Sequence, residues 1–291
     1  MRGSKVQLAD EIDRRSGLSV ESFEREYLQP PRPVILTNAI SHWRALGRWS
    51  PQFFKQGYGH LVVEVDGEKM TVGELVDRIE ASTSKSPAPY LRNQPLSEWP
   101  PELLADVLPM PACTKPNWLE SRFFPSRRAM TFIEAYIGGE GARFPVLHYD
   151  GLHTHAWLMQ LYGDKEYIVF SPDQAAYLYP KDGTGNTSEL EDVLQPDLER
   201  FPLADRARGV RFRLHPGETL FVPAGWWHTA RILNPSVTVS INAVNHANSA
   251  AFSRDYSETI GRRYPLAARA VRGAIRVGQV TRLFELMPNR H

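Results

Sequence analysis

The sequence predicts a mostly-β protein with helical flanks, its core a sandwich or barrel of the jelly-roll kind. Three observations lead there. Between Ala129 and Val244 about eight short apolar runs follow one another, separated by Gly, Pro, Asn and Asp. Before them, helix and strand signals alternate up to about residue 125. After Asn245 the hydrophobic period becomes helical. The expected division is an α/β lead-in over 1–125, a barrel core over 126–245 and a helical segment over 246–291.

In the lead-in, Ser50-Pro51 pairs an N-cap with proline at the first helical position and opens a short helix through Lys55. Thr71-x-x-Glu74 is a capping box, after which Val72, Leu75, Val76 and Ile79 share one helical face. Val34–Thr37, His60–Val65 and Pro89–Arg92 read as strands. The Pro-rich stretch from Ser82 to Pro116 reads as loop with one short helix around Glu102–Val107. The core strands are expected at Met130–Ile137, Phe144–His148, His155–Leu161, Glu166–Phe170, Val210–Leu214, Thr219–Val222, His228–Leu233 and Val237–Asn242. Lys181–Arg208 interrupts them as a polar surface insertion, with some helix at Leu190–Gln195. In the last segment Leu266, Ala270, Gly273, Val277, Val280, Phe284 and Met287 recur at alternating intervals of four and three. Residues 251–291 also hold eight arginines against three acids, so the opposite face is basic. An amphipathic helix must bury its apolar stripe on its own domain or on a second subunit, and a homodimer is expected.

Composition excludes several classes. The 291 residues carry 34 Lys+Arg against 33 Asp+Glu, a formal charge of +1, without the electrostatic footprint of a nucleic-acid or anionic-membrane binder. The longest apolar runs are short strands such as Thr219–Val222, far below the ~20 residues of a membrane span. No apolar signal-like segment stands near the N-terminus. A single cysteine, Cys113, can form neither an internal disulfide nor a cysteine-based zinc site, and it sits in a Pro-rich loop as a structural residue. A cytoplasmic location is expected.

His148-Tyr149-Asp150 closes a strand-like run, where residues two apart project to one face. Alone the triplet says little in a chain with nine histidines. A second element changes its weight. The run from Pro216 to His228 reads as turn, strand, turn and then a histidine opening the next strand, and sequence-distant barrel strands can lie side by side. Two histidines and one carboxylate on one face of a metal leave positions open, as in non-haem Fe(II) oxygenases. Zinc in a His₂Asp site, activating water, is the chemical competitor.

These motifs, with Gly163-Asp164-Lys165, the Phe170-Ser171-Pro172-Asp173 turn and the Val222-Pro223-Ala224-Gly225-Trp226-Trp227-His228 run, resemble the JmjC branch of the cupin oxygenases. The resemblance covers about residues 19–245. It includes Val34-Ile35-Leu36 near Trp43 and Trp49, and the Tyr90-Leu91 strand. It implies a double-stranded β-helix core and the use of Fe(II), 2-oxoglutarate and O2. It further implies that His148, Asp150 and His228 are the metal ligands and that Lys165 pairs with the distal carboxylate of 2-oxoglutarate. Tyr90 would offer its phenol to the same carboxylate, Ser240 a hydroxyl, and Asn242 an amide near the chelating end. A buried lysine needs such an anion, because an unpaired charge inside a barrel is costly.

The chain departs from that pattern in places. The JmjC branch includes an asparaginyl hydroxylase and lysyl hydroxylases, and the residues after Asp150 resemble the lysyl-hydroxylase spacing more than the asparaginyl one. Leu158 stands where such relatives have an asparagine, and Pro145 where the asparaginyl hydroxylase has a threonine. His153 and His155 are extra imidazoles near the motif, read as ordinary hydrogen-bonded residues before second-shell or substrate groups. Trp226 and Trp227 are read as packing. His42, His60 and His215 are assigned no role.

The implied activity is hydroxylation of a C–H bond in a polypeptide side chain or a small molecule, releasing succinate and CO2. N-demethylation by the same chemistry is the alternative. A silent cupin binding module, or a cupin lyase, isomerase or hydrolase that ignores 2-oxoglutarate, are the rivals. Neither a membrane nor a nucleic acid is an expected partner.

Overall fold

A computed structural model describes residues 6–121, 124, 133–144, 146–183 and 185–281. Thirteen strands and eight α-helices are assigned among them. The lead-in holds β1 (Gln7–Ala9), β2 (Arg14–Arg15), α1 (Val20–Phe23), β3 (Val34–Leu36), α2 (Pro51–Tyr58), β4 (Val62–Val65), β5 (Glu68–Thr71), α3 (Val72–Glu80), β6 (Leu91–Pro95) and α4 (Pro101–Asp106). The core continues with β7 (Ile133–Gly138), β8 (His155–Tyr162), β9 (Lys165–Phe170), α5 (Ala175–Leu178), β10 (Arg208–Leu214), β11 (Thr219–Val222), β12 (Trp227–Ile232) and β13 (Ser236–Ala243). The last helices are α6 (Ser249–Glu258), α7 (Ile260–Arg263) and α8 (Pro265–Thr281).

Two facing sheets form the core. The larger runs β2-β3-β11-β8-β13-β7-β6 and the smaller β1-β10-β9-β12. From β8 onward the chain crosses repeatedly between them: β8, β11 and β13 lie in the larger sheet and β9, β10 and β12 in the smaller. This is the jelly-roll expected from the strand pattern. Gly163 makes the β8–β9 crossing possible, because its φ of +67° is left-handed and an added Cβ would collide with the Pro235 carbonyl.

Both faces of the larger sheet are covered, which explains why β8 and β11 read as near-continuous apolar runs. Ile35, Ala156, Tyr167, Val169, Phe212 and Leu220 fill the space between the sheets. On the far side Trp157, Met159, Phe221 and Val239 pack against Phe23, Trp49, Phe54, Leu75 and Ile79 of the lead-in. Helix α2 starts as expected, with Ser50 accepting from Phe53 N at 3.1 Å, but continues three residues past Lys55. Helix α3 carries the full capping box: Thr71 Oγ1 accepts from Glu74 N and Glu74 Oε2 from Thr71 N.

The insertion 181–208 covers the outer face of the smaller sheet. Leu190, Val193, Phe201 and Ala204 pack on Ile168, Phe170 and Trp227. The helix expected at Leu190–Gln195 does not form, and turns take its place. Asp192 Oδ1 accepts from Leu194 N at 2.8 Å and Asp197 Oδ1 from Glu199 N at 3.0 Å, so side chains take the amides that a helix would use.

The run Phe144–His148 is not a regular strand either. It touches β12 through isolated pairings at Arg143–Arg231 and His148–His228. Phe144 N bonds to Ala230 O and His148 N to His228 O, a spacing of four residues against two, so the pairing is irregular between them. That is a bulge, a common device beside active sites.

Helix α8 packs on its own chain, but by another face than the expected one. Ala268, Val271 and Ile275 join Phe252, Tyr256 and Trp118. The heptad-like residues Leu266 and Val280 are 81% and 85% exposed, and Val277 is 47% exposed. Phe284 and Met287 lie outside the described residues, as do Pro145 and the start of the run Met130–Ile137. No helix among the described residues is long and apolar enough to cross a membrane.

Candidate metal centre and co-substrate pocket

His148 and His228 are cross-strand partners that exchange both backbone bonds: His148 N to His228 O at 3.1 Å and His228 N to His148 O at 2.6 Å. Their rings lie 4.4 Å apart, and Asp150 follows two residues after His148. One ligand atom from each of His148, Asp150 and His228 falls within 4.8 Å of the others, and His228 Nε2 stands 3.8 Å from Asp150 Oδ2. The three sequence-predicted ligands are therefore brought together.

The chemistry of the donors suits a metal. His148 Nδ1 lies 3.1 Å from Val146 O, and His228 Nδ1 lies 3.1 Å from Trp226 O. A carbonyl only accepts, so each Nδ1 carries the proton and each Nε2 keeps its lone pair for the cavity. Burial, and then the neighbouring His228, holds the His148 imidazole below the ordinary histidine range, so it stays neutral and able to ligate. The Phe144 ring stacks on His148 at 4.3 Å and fixes its plane.

The ligands open onto a cavity of about 230 Å³, several waters' worth of space, lined by Tyr90, Tyr136, Leu158, Lys165, Ser240 and Asn242 among others. Lys165 is 2% exposed and projects inward from β9. Its Nζ donates to Tyr90 Oη at 2.8 Å and lies 5.2 Å and 5.6 Å from the Tyr90 and Tyr136 ring centres. No carboxylate pairs with it among the described residues, and burial lowers its pKa to about 7. Lys165 is thus a buried amine that faces the cavity beside two phenols, a group whose charged form needs an anion. Ser240 and Asn242 share the inner face of β13. Ser240 Oγ lies 3.5 Å from Tyr136 Oη, and Asn242 Nδ2 donates to Thr154 Oγ1 at 3.0 Å. Leu158 lines the same cavity, an apolar wall where the resemblance would place an amide.

Four functional candidates escaped the sequence. Tyr136 and Glu134 sit two apart on β7, and Glu134 registers with Ser240 on β13, so both lie on the pocket side of the sheet, where Tyr136 lines the cavity. Tyr136 Oη donates to Glu134 Oε2 at 3.1 Å, and Asn93 Nδ2 donates to the same oxygen at 3.1 Å. Phe144 is the fourth. The alternation of Glu134-Ala135-Tyr136 was visible in the run, but only the register with β13 shows which face is inside. Burial raises the Glu134 carboxyl.

The other histidines fall into place. His155 is buried, its pKa pushed down to about 3 by burial, and its Nδ1 accepts from Ala224 N at 3.0 Å. His153 pairs with Asp255 on α6. His215 Nδ1 meets Asp164 Oδ1 at 2.8 Å on the surface, and His42 Nε2 meets Pro109 O at 2.9 Å. Trp227 is buried against Tyr149, and Trp226 Nε1 donates to Pro31 O, both packing roles. Burial pushes the Cys113 thiol up to about 12, an inert group.

Two sheets in jelly-roll order, with two histidines and an aspartate at one mouth, define a facial-triad cupin. The chain belongs to the cupin-like domain family, whose model matches residues 20–245, and within it to the JmjC oxygenases, which use Fe(II), 2-oxoglutarate and O2. It is 32% identical over 235 residues to lysine-specific demethylase 8 of Xenopus tropicalis, covering 76% of this chain and 50% of that protein. It is 28% identical over 247 residues to Jumonji C domain-containing protein 5 of Drosophila melanogaster, covering 79% and 59%. With tRNA wybutosine-synthesizing protein 5 of Homo sapiens it shares 26% identity over 279 residues, covering 88% and 84%. The chain thus spans about half the length of the first of these relatives and most of the last.

Proposed function

We propose that the protein is an Fe(II)- and 2-oxoglutarate-dependent oxygenase that hydroxylates a C–H bond of an amino-acid side chain, in a polypeptide or a free small molecule. Succinate and CO2 are the co-products. The observation that carries the reading is one pocket holding both the His148–Asp150–His228 set and a buried lysine that has no carboxylate partner among the described residues. Iron bound there supplies the oxidation of the C–H bond by O2, coupled to oxidative decarboxylation of 2-oxoglutarate.

The chain's own part is binding and exclusion of water. Lys165 takes the far carboxylate of 2-oxoglutarate, with Tyr90 Oη 2.8 Å from its Nζ to complete the grip. Ser240 and Asn242 offer a hydroxyl and an amide from one strand face. Ala156, Leu158 and Ala230 keep the walls apolar, so the charged contacts act in a dry setting. Glu134 cannot serve a dianionic co-substrate, which it would repel. Its carboxylate, held by Asn93 and Tyr136, suits a cationic nitrogen on the substrate.

Stable hydroxylation is the favoured outcome. N-demethylation is the second reading, favoured by Glu134 and by the name lysine-specific demethylase that several relatives carry. A hydroxylated N-methyl group loses formaldehyde, so product analysis separates the two. The exposed stripe Leu266, Val277 and Val280 supports a homodimer through α8. The testing experiment is anaerobic titration of the apo-protein with Fe(II) and then 2-oxoglutarate, followed by its visible charge-transfer band, with His148→Ala as control. A band that needs both additions and fails in the variant is expected. Its absence from folded, metal-loaded protein would leave a binding module or a different metalloenzyme.

A further inference from the structure

We propose that Asp255 and Asn248 on the C-terminal side are positioning residues for the metal carboxylate, because they clamp the turn that follows Asp150. The inference rests on the reading of His148, Asp150 and His228 as a metal site.

The turn Gly151–His153 holds two consecutive non-glycine residues in the left-handed region, Leu152 at φ 58° and ψ 23° and His153 at φ 49°. L-residues avoid that region, so left to itself the turn would relax and carry Asp150 with it. Three contacts hold it, all from beyond β13. Asp255 on α6 bonds His153 Nδ1. Asn248, 3% exposed, donates to His153 O at 2.9 Å and to Ala243 O at 3.0 Å, while its Oδ1 accepts from Asn245 N at 2.8 Å. One amide thus ties the turn to the end of β13. The Leu152 side chain packs on the cluster of Val244, Phe252 and Tyr256. On the other side the Tyr149 ring lies 4.7 Å from the His153 ring.

The turn also reaches the pocket. Gly151 lines the cavity, and Thr154 Oγ1 both donates to Gly151 O at 3.1 Å and accepts from Asn242 Nδ2 at 3.0 Å. A shift of the clamp therefore moves Asp150 at one end and Asn242 at the other. The histidine ligands lack this dependence, since their own backbone pairing fixes them.

The test is Mn(II) binding to the full chain, followed by loss of the free-ion EPR signal. Wild type should bind one Mn(II) and His148→Ala none. Asp255→Ala should raise the Kd up to about tenfold, the lower end of what losing a direct partner of a metal ligand costs, since the bond acts on Asp150 through the turn. Asp255→Asn keeps an oxygen to accept the His153 proton and should remain near wild type. His153→Leu breaks the same bond from the turn side and should match Asp255→Ala, so a folding failure in one variant leaves the other to decide. A bond that only stabilises the fold would lower the melting temperature and leave the Kd of folded protein unchanged, and that result would overturn the clamp alone. Folded wild type that binds no Mn(II), or His148→Ala that binds as tightly, would overturn the metal site and the clamp together.

Discussion

His228 Nε2 and Asp150 Oδ2 lie 3.8 Å apart, with the histidine's other nitrogen held by Trp226 O. Two neighbouring ligands about 2.1 Å from one ion and about 90° apart lie about 3.0 Å from each other, so this pair needs to close by only about 0.8 Å to share an ion. Alanine at His148, Asp150 or His228 should each weaken Fe(II) or Mn(II) binding by more than about 100-fold, beyond what loss of an outer partner costs. Equilibrium dialysis against Mn(II) checks this. A ligand variant that binds within tenfold of wild type would remove that residue from the set.

Lys165 sets stability against function. Replacing the buried ammonium with an isosteric apolar chain, Lys165→Met, should stabilise the apo-protein by about 1–4 kcal/mol. The same change should weaken 2-oxoglutarate binding by about 3 kcal/mol, or roughly 100-fold. Thermal melts and calorimetric titration of the Mn(II) form read the two effects separately.

The pH dependence follows in sign. Burial lowers the Lys165 pKa to about 7, so the cation that receives the co-substrate is present below that pH and lost above it. The 2-oxoglutarate Kd should rise about fivefold between pH 7 and 8 in wild type and stay flat in Lys165→Met. For stability the same shift acts the other way. Above about 7 the unfolded chain binds a proton that the native chain does not, so apo-protein stability should rise with pH up to the ordinary lysine range. Urea melts from pH 7 to 9, with Lys165→Met as the flat reference, test it.

Glu134→Gln keeps the hydrogen bonds from Asn93 and Tyr136 and removes only the charge. For a substrate carrying an ammonium or guanidinium group, KM should rise by about tenfold, the order of a lost charge-assisted contact. The KM for 2-oxoglutarate should hold or fall. Succinate release at varied substrate concentration gives both numbers.

Leu266→Asp with Val280→Asp places two charges on the exposed stripe of α8 while leaving Ala268, Val271 and Ile275 on the inner face. Light scattering should show wild type as a dimer and the double variant as a monomer. A wild-type monomer would remove the homodimer.

What was legible in the sequence were features written locally or in a motif. Ser50, Thr71 and Glu74 announced their helices because a cap is a contact between residues three apart. His148, Asp150, His228 and Lys165 were legible through motif spacing. Tyr136 and Glu134 were not, since only the pairing of β7 with β13 turns them inward. The helix expected at Leu190–Gln195 does not form, and within it Asp192 offers the Leu194 amide a closer partner. The stripe on α8 was correctly spaced, but α6 packs against the neighbouring face, a choice that depends on the whole chain.

The backbone pairing of His148 with His228 has a consequence for folding. A slip of one residue in this pairing would turn His148 away from the cavity, because successive side chains of an extended chain point to opposite faces. A misaligned chain would be nearly as compact as the native one but would lack a full ligand set. A bound metal would therefore favour the correct alignment, because only that alignment closes the site and gains the binding energy.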